Sequence, residues 1–333
     1  MAFVLIFALL LQTPDPMALA REAYELARSG KMAEAETKLR EAIKGAPQNA
    51  LLYSALGGLL GRMDRAAEAR QAFAEAVKLA PENHALRLQL AVRQREAGEL
   101  ELAWENARYL LAAKVADAQV REFARDTALE LGALLARQNR NRAGLAVARQ
   151  AAGYFPENAP TQEMLGLFQR NNQQNVDAIA SYRKALELDP ESPGAAVGLG
   201  IAASAAGSPE EAARAFETAL AKFPDHVPGK LAYAVFLLRQ AEAGAAESPK
   251  ALELLHDVLK KDPNSAEAHY QLGSALLSQD RAEDALTHLK RAVEAGLDDK
   301  RVHFALARAY RRLGDAAAAQ RETELFKQRE AGR

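Results

Sequence analysis

Large apolar residues recur along this chain every three or four positions, with polar residues between them. Leu56 and Leu60 stand one helical turn apart, and Phe73 and Val77 repeat the same spacing seventeen residues later. This spacing places the apolar residues on one face of a helix. Few stretches combine β-branched residues with strict alternation, so we expect no sheet. The pattern therefore predicts an all-α protein.

A helix end followed by proline and a short polar turn is written repeatedly, as in "VKLAPENHA" at residues 77–85. The prolines of this phrase are Pro47, Pro81, Pro156, Pro190, Pro224 and Pro263. They are separated by 34, 75, 34, 34 and 39 residues, so the longer gaps are whole periods with seven and five residues added. A fixed period of this size indicates stacked two-helix units, and the proline should end the second helix of each unit.

Two columns of small residues share this register. The first contains Ala23, Gly57, Ala91, Gly132, Gly166, Gly200, Ala234, Gly273 and Ala307. The second contains Ala35, Ala69, Ala103, Gly144, Ala178, Ala212, Ala251, Ala285 and Ala319. Helices approach to roughly 8–10 Å only where small side chains lie at the crossing. We therefore expect one small residue of each unit on the first helix and one on the second.

Residues 51–83 resemble a tetratricopeptide repeat (TPR). Tyr53, Leu56, Gly57, Leu60, Ala69, Phe73, Ala76 and Pro81 fill the pattern of that family. The stretches that contain Leu165 and Gly166, and Leu272 and Gly273, match in the same way. The resemblance implies a right-handed α-solenoid of stacked antiparallel helix pairs, a TPR superhelix of about nine repeats.

The domain organisation follows from this register. We expect an apolar N-terminal segment at 1–15 and a single TPR solenoid at 16–333, with insertions near 115–124 and 241–250. Ser248 and Pro249 have the residue types of an N-cap and a first helical position. The last helix turns polar, which suits a helix that covers the end of the stack.

The first residues differ from the repeats. Ala2–Leu11 is an unbroken run of ten apolar residues, shorter than the ~20 that span a bilayer but of the length found in a secretory signal. No Lys or Arg precedes the run, and no small-x-small cleavage site directly follows it. The segment is interpreted as a signal peptide or membrane anchor; the alternative is an apolar helix packed on the end of the solenoid.

Composition and motifs favour a non-enzymatic protein. Lys and Arg number 43 against 44 Asp and Glu, which gives a formal net charge of −1 and argues against a general nucleic-acid coat. No cysteine is present, and no phosphate-binding loop or nucleophile–base motif occurs. His269 and His303 lie 34 residues apart at a position where the family has a large packing residue, so we expect packing and not a metal site. No catalytic residue, cofactor or metal is predicted.

The resemblance also indicates where a partner would bind, because this family lines its inner groove with the first helix of each repeat. The corresponding residues are Leu88, Val92, Leu129, Leu167, Val197, Ile201, Leu231, Val235, Tyr270 and Phe304. These form an apolar stripe, which would be either an exposed groove or part of the core. The Lys/Asn/Arg clamp of some relatives is absent at Ala20 and Tyr24. Arg301, Arg308, Arg311 and Arg312 form an additional patch, to be interpreted as either an acidic-partner site or a solvated helix face.

The predicted function is a protein–protein interaction scaffold that binds a partner peptide or helix in its groove. Envelope or secretion-related assembly in the periplasm or at the membrane is the hypothesis if residues 1–15 direct export, with membrane contact only through that segment. The alternatives are a cytoplasmic regulatory or co-chaperone-like adaptor and a helical-repeat nucleic-acid binder, although we expect no nucleic-acid partner. Partner identity and oligomeric state stay open.

Overall fold

A computed structural model describes residues 14–242 and 249–331 and shows eighteen α-helices in those ranges, without a β-strand among them. Contacts divide the chain into two compact units, which meet in sequence at Pro156 and Glu157. Unit 1 contains α1 (Pro16–Arg28), α2 (Met32–Gly45), α3 (Ala50–Arg62), α4 (Ala66–Leu79), α5 (His84–Glu96), α6 (Leu100–Ala112), α7 (Ala118–Arg137) and α8 (Asn141–Tyr154). Unit 2 contains α9 (Ala159–Asn171), α10 (Asn175–Leu188), α11 (Pro193–Ala205), α12 (Pro209–Lys222), α13 (Val227–Glu242), α14 (Pro249–Lys261), α15 (Ala266–Ser278), α16 (Ala282–Glu294), α17 (Lys300–Arg312) and α18 (Ala316–Ala331).

The helices are paired, and each pair stacks on the next within its unit. In unit 1, α1 packs on α2, α2 on α3, and the series continues to α8. In unit 2 the same order runs from α9 to α18. The odd-numbered helices are the first helices of the pairs and the even-numbered helices are the second. The predicted all-α architecture of stacked helix pairs is confirmed.

The repeated proline phrase forms the turn between pairs. Each of the six prolines is the second residue after a second helix; α4, for example, ends at Leu79 and is followed by Ala80 and Pro81. The polar residue after the proline caps the next first helix, since the Asn83 side chain accepts a hydrogen bond from Leu86 N at 3.2 Å. Asn158 and Ser192 cap α9 and α11 in the same way. Such caps satisfy backbone donors that have no partner within the helix.

The turn inside each pair depends on one left-handed residue. Gly98 has φ +76° and Asp64 has φ +58° at equivalent positions. A left-handed residue after a helix lets the chain reverse while its amide bonds back to the helix, as Gly98 N does to Arg95 O at 2.9 Å. The short reversal holds the two helices of a pair antiparallel.

The small residues predicted at the helix crossings are buried. All nine members of the Gly57 column and all nine members of the Ala35 column have little or no exposed surface. A β-carbon added to Gly166 would lie 3.0 Å from the Tyr182 ring, and one added to Gly200 would lie 2.9 Å from the Phe216 ring. The prediction that small residues allow the helices to pack closely is confirmed.

The two predicted insertions have different outcomes. Residues 118–124 extend α7 by about two turns at its start, where the Asp117 side chain caps the helix by accepting from Gln119 N at 2.8 Å. The extra residues therefore add helix and do not form a loop. α14 begins at Pro249 as expected, whereas Ser248 and residues 1–13 lie outside the described residues.

The end helix α18 is polar, as predicted. Its only buried residues are Ala318 and Ala319, both near its start. Its last turns are attached to α17 and the preceding loop by ion pairs between Arg329 and Asp298 (2.6 Å) and between Lys300 and Glu330 (3.3 Å).

Candidate partner-binding surface

The first helices of unit 2 form a continuous wall. α9 contacts α11, α11 contacts α13, α13 contacts α15, and α15 contacts α17. We call this surface the first-helix wall. Seven of the ten predicted groove residues belong to it, because they stand at the fifth and ninth positions of these helices. Side chains at such positions lie about one turn apart on one helix face, so the wall brings the seven residues onto one surface.

Most of the predicted stripe is partly exposed. The half-buried members of the wall are Leu167, Ile201, Leu231, Val235 and Tyr270. Ile201, Leu231 and Tyr270 pack against the core of unit 2 while they keep part of their surface exposed. Leu88, Val92 and Leu129 are also half-buried, but they lie on α5 and α7 of unit 1. The stripe is therefore neither fully core nor fully exposed, and its role in binding stays a prediction.

Val197 differs from the rest of the stripe, because the structure places it in the core. Its side chain is 7% exposed, and its Cγ2 would lie 2.9 Å from a β-carbon on Gly229 of α13. The absence of a side chain at Gly229 lets α13 approach Val197 closely. Val197 therefore contributes packing and is not available to a partner.

Phe304 is the most exposed residue of the stripe, at 48%. Its ring centroid lies 5.7 Å from that of Phe326 on α18, and the guanidinium carbon of Arg308 lies 5.9 Å from the centroid of the Phe304 ring. An aromatic ring held by a second ring and a cation offers apolar area at a low entropic cost. The C-terminal end of the wall is thus aromatic and basic.

The four arginines of the predicted patch do not act as one group. Arg301 is bound by Asp299 at 2.9 Å and by Glu267 at 3.2 Å, and its guanidinium lies over the Tyr270 ring. Arg312 donates a hydrogen bond to the carbonyl of Leu277 and lies 3.4 Å from Asp280. These bonds link α17 to α15 and its C-terminal turn, so Arg301 and Arg312 serve internal structure.

Arg308 and Arg311 are the two patch residues without a carboxylate within ion-pair distance in the described ranges. Arg311 donates to the Ala307 carbonyl at 3.2 Å within its own helix. Both are exposed. The predicted acidic-partner patch is therefore reduced to these two residues, of which Arg308 lies beside Phe304.

A cleft on the first helices of unit 1 was missed by the sequence argument. Its volume is about 260 Å³, and it lies between α1 and α3 with Ala20, Tyr24, Ala55, Gly58 and Arg62 in its lining. Tyr24 is 63% exposed, while a β-carbon on Gly58 would meet no atom within 4 Å. The signal was present in the sequence, since Tyr24 and Gly58 stand at the same position of consecutive repeats and leave an aromatic side chain facing open space.

His269 and His303 are buried at equivalent positions of α15 and α17, as the packing interpretation predicted. Each ring contacts the second helix of its own pair nineteen residues later. His269 Nδ1 lies 3.0 Å from His288 Nδ1, and His303 Nδ1 lies 2.7 Å from Glu322 Oε2. The two histidines therefore join the helices of one pair and do not contact each other.

Profiles of two tetratricopeptide repeat families match most of the chain. One matches residues 20–84, 129–193 and 197–250, and the other matches residues 249–308. The chain belongs to the tetratricopeptide repeat family. The matched segments cover helices from α1 to α17, so the predicted resemblance is confirmed.

Solved structures with the same fold share little sequence with this TPR protein. PilF of Pseudomonas aeruginosa is 18% identical, with a TM-score of 0.53 over 62% of this chain and 92% of that chain. A monomeric mutant of IFIT1 with m7Gppp-AAAA is 19% identical, with a TM-score of 0.53 over 84% and 69%. A tetratricopeptide repeat protein from Parabacteroides merdae is 18% identical, with a TM-score of 0.43 over 88% and 98%. At these identities, the similarities to PilF and IFIT1 show the fold alone.

The comparison with curated proteins finds no match to this TPR protein. Among residues 14–242 and 249–331, no helix is both long and apolar enough to cross a bilayer. The same ranges contain no cluster of three or more His, Asp or Glu side chains arranged to hold a metal ion.

Proposed function

We propose that the protein is a non-enzymatic scaffold that binds an apolar segment of a partner protein on the first-helix wall of unit 2. The TPR fold is typical of protein–protein interaction scaffolds. The observation that supports this site is the row of half-buried apolar side chains at Leu167, Ile201, Leu231 and Val235, which ends at the exposed Phe304. Apolar surface arranged in one row marks a binding surface more often than scattered residues do.

The wall suits an amphipathic helix or an extended apolar peptide. Such a segment would bury its apolar face on the row, while charged side chains at the rim would fix its orientation. Arg308 is available for this role, since its guanidinium lies beside Phe304 and has no carboxylate within ion-pair distance in the described residues. We therefore propose an acidic residue near the end of the partner segment that meets α17.

Quantitative crosslinking and capture from cells of the source organism tests this proposal. Val235→Glu and Leu167→Glu should each reduce the recovery of the specific partner by at least roughly tenfold, because a charge would be buried in an apolar contact. Circular dichroism should show unchanged helicity. A partner recovered equally by wild type and both variants would contradict the proposed surface.

Val176→Glu is the matched control. Val176 lies on α10, a second helix, and is 74% exposed. The substitution introduces the same negative charge in unit 2 but away from the wall, so partner recovery should not change. Loss of recovery with this control would mean that charge anywhere on unit 2 weakens binding, and it would remove the assignment to the wall.

We propose that the partner is a protein and not a nucleic acid. A basic stripe is needed to neutralise phosphates, but Arg301 and Arg312 are paired with carboxylates. IFIT1 is solved with capped RNA; at 19% identity that similarity supports only the fold. Titration with fluorescent single-stranded RNA at about 0.15 M salt should show no saturable binding. Salt-sensitive saturation would overturn this part of the proposal.

We also propose export to the periplasm or the membrane surface, on the basis of the ten-residue apolar run Ala2–Leu11. A run of this length suits the apolar region of a secretory signal. Full-length protein with a C-terminal tag, expressed in its source organism, should lose its first residues and fractionate with the envelope. An intact N-terminus in the cytoplasmic fraction would favour the alternative of a cytoplasmic adaptor.

A further inference from the structure

We propose that a cleft between α10 and α12 binds a large aromatic side chain of a partner polypeptide that carries a carboxylate beside the ring. The cleft has a volume of about 410 Å³ and lies over α11. Leu186, Ala196, Leu199, Ala215 and Phe223 contribute to its lining. None of these residues belongs to the row on the first-helix wall, so this is a second and separate site. Its volume lies in the range of ~300–1,000 Å³ that is usual for ligand pockets.

The cleft exists because one packing side chain is missing. Ala196 is the fourth residue of α11, and the fourth residues of the other first helices in unit 2 are Gln162, Lys230, His269 and His303. In α3 of unit 1 the fourth residue is Tyr53, which packs against the neighbouring core. A family position that holds a large side chain thus holds a methyl group at residue 196. The space that the absent side chain would fill stays open between α10 and α12.

Charged contacts join the two sides of the cleft at its ends. Arg183 of α10 pairs with Glu211 of α12 at one end. At the other end Lys222 of α12 donates to the Pro190 carbonyl at 2.6 Å and pairs with Glu191 at 2.8 Å. Between these contacts the lining is mainly apolar. These contacts attach α12 to α10 at one end of the opening and to the turn after α10 at the other.

Arg214 gives the cleft its preference for an anion. This residue lines the cleft and is exposed, and no described carboxylate lies within ion-pair distance of it. Glu211, the acidic residue of the lining, is already paired with Arg183. The lining therefore has a guanidinium free to bind a carboxylate, for which its planar donors are well suited.

Unit 1 offers a comparison, because an aromatic side chain there connects two second helices. Ala128 of α7 stands 34 residues before Gln162 and is the equivalent of Ala196 in unit 1. There the indole of Trp104 on α6 is 3% exposed, and its Nε1 donates to Gln150 Oε1 on α8 at 3.2 Å. An aromatic ring thus lies between α6 and α8, the second helices that come before and after α7 in the chain. Thr218, which lines the cleft of unit 2, is the repeat equivalent of Gln150. Each of the two stands six residues after the small residue of its second helix, which is Ala212 for Thr218 and Gly144 for Gln150.

N-acetyl-L-tryptophan is a direct probe, because it combines an indole with one carboxylate. N-acetyl-L-tryptophanamide is its uncharged analogue. Titration of the full chain, followed by ¹H–¹⁵N chemical shifts, should show saturable shifts confined to α10–α12 with a Kd on the order of 0.1–1 mM for the acid. The amide should bind roughly five- to tenfold more weakly. No saturation for either compound would overturn the proposal.

Two kinds of variant locate the binding. Ala196→Tyr and Ala215→Leu should each abolish binding of the acid, since both place atoms in the cleft, and Ala196→Tyr installs a residue type that α3 already accommodates. Arg214→Gln should lower the affinity for the acid to that for the amide, and it should leave the affinity for the amide unchanged. Arg308→Gln and Val235→Glu, on the first-helix wall, should change neither affinity.

Wild-type affinity in a folded Ala196→Tyr or Ala215→Leu variant would overturn the site. A loss of affinity with Arg308→Gln equal to that with Arg214→Gln would overturn the role of Arg214. Failure of this site would not affect the wall, because the partner capture with Val235→Glu reports on a different surface.

Discussion

The ring of Phe73 lies so close to Gly57 that a β-carbon on Gly57 would be 3.0 Å from Cδ2 and Cε2 of that ring. The two residues are sixteen positions apart and face each other across the α3–α4 pair. The same arrangement joins Gly166 to Tyr182 and Gly273 to Leu289. Each glycine thus allows a large side chain of the second helix to pack on the backbone of the first.

Gly57→Leu should destabilise the protein by about 1–3 kcal/mol, because the added side chain overpacks the crossing. Thermal unfolding by circular dichroism measures the effect. Gly58→Leu is the matched control: it lies one residue away on α3, and a β-carbon there would meet no atom within 4 Å. Both variants gain similar helix propensity. Equal melting temperatures for the two variants would show that the Gly57 crossing is not close-packed.

Much of this packing could be predicted from the sequence, because it repeats at a fixed spacing. Glycine at the crossing is followed sixteen residues later by Phe73 or Tyr182, whereas Ala91 and Ala307 are followed by the smaller Ala107 and Thr323. The combined size of the two side chains at a crossing is limited by the distance between the helix axes. The pairs Ala23–Leu39 and Gly132–Ala148 are exceptions, so the rule is only a tendency.

The candidate surface could be predicted only in part. A position in the repeat indicates the helix face, but exposure also depends on how closely the next helix approaches, and Gly229 lets α13 cover Val197. Whether an arginine is free to bind a partner depends on the residue one period away. Arg301, for example, forms an ion pair with Glu267, which lies 34 residues earlier in the chain. The cleft at Ala196 results from a missing large side chain, and a motif defined by the residues that are present does not indicate such a gap.

Arg312→Ala should cost about 0.5–1.5 kcal/mol, since it removes a bond to the exposed end of a helix. The Arg312 guanidinium donates to the carbonyl of Leu277 in the last turn of α15, which also accepts from Asp280 N at 3.2 Å. Urea unfolding gives the free energy. Arg308→Ala, on the same helix and without a described carboxylate partner, should change it by less than about 0.5 kcal/mol. A larger effect for Arg308 would reverse the assignment of these two residues.

The His269–His288 contact should make stability depend on pH near neutrality. His269 Nε2 lies 3.0 Å from the Pro263 carbonyl, and His269 Nδ1 lies 3.0 Å from His288 Nδ1. Burial lowers the pKa of His288 below its ordinary 6.5, and the nearby His269, His256 and Arg291 lower it further, against the opposing effect of Asp284. The folded state thus binds fewer protons than the unfolded state. Stability is therefore full above about pH 6.5 and is lost as pH falls through the lower folded pKa.

His288→Gln should reduce the slope of unfolding free energy against pH between about pH 7 and pH 5, relative to wild type. Asp298→Asn should act at lower pH, where that carboxylate titrates. Arg329 and His303 lower the pKa of Asp298 to about 2, so its contribution is present above pH 3.8 and is lost as pH falls toward 2. Identical slopes for wild type and His288→Gln between pH 7 and pH 5 would exclude the histidine pair as the cause.

Trp104 is the only tryptophan of the chain, and its fluorescence therefore reports on unit 1. Its indole is buried and donates to Gln150 Oε1 at 3.2 Å. Gln150→Leu keeps an apolar contact of similar size but leaves the indole N–H without that acceptor, at a cost of about 1–3 kcal/mol. Urea unfolding followed by tryptophan emission should shift to lower urea by this amount, while Gln150→Glu, which keeps an acceptor, should shift it less. If both variants unfold at the wild-type midpoint, the hydrogen bond contributes nothing to unit 1, and the indole is held by packing alone.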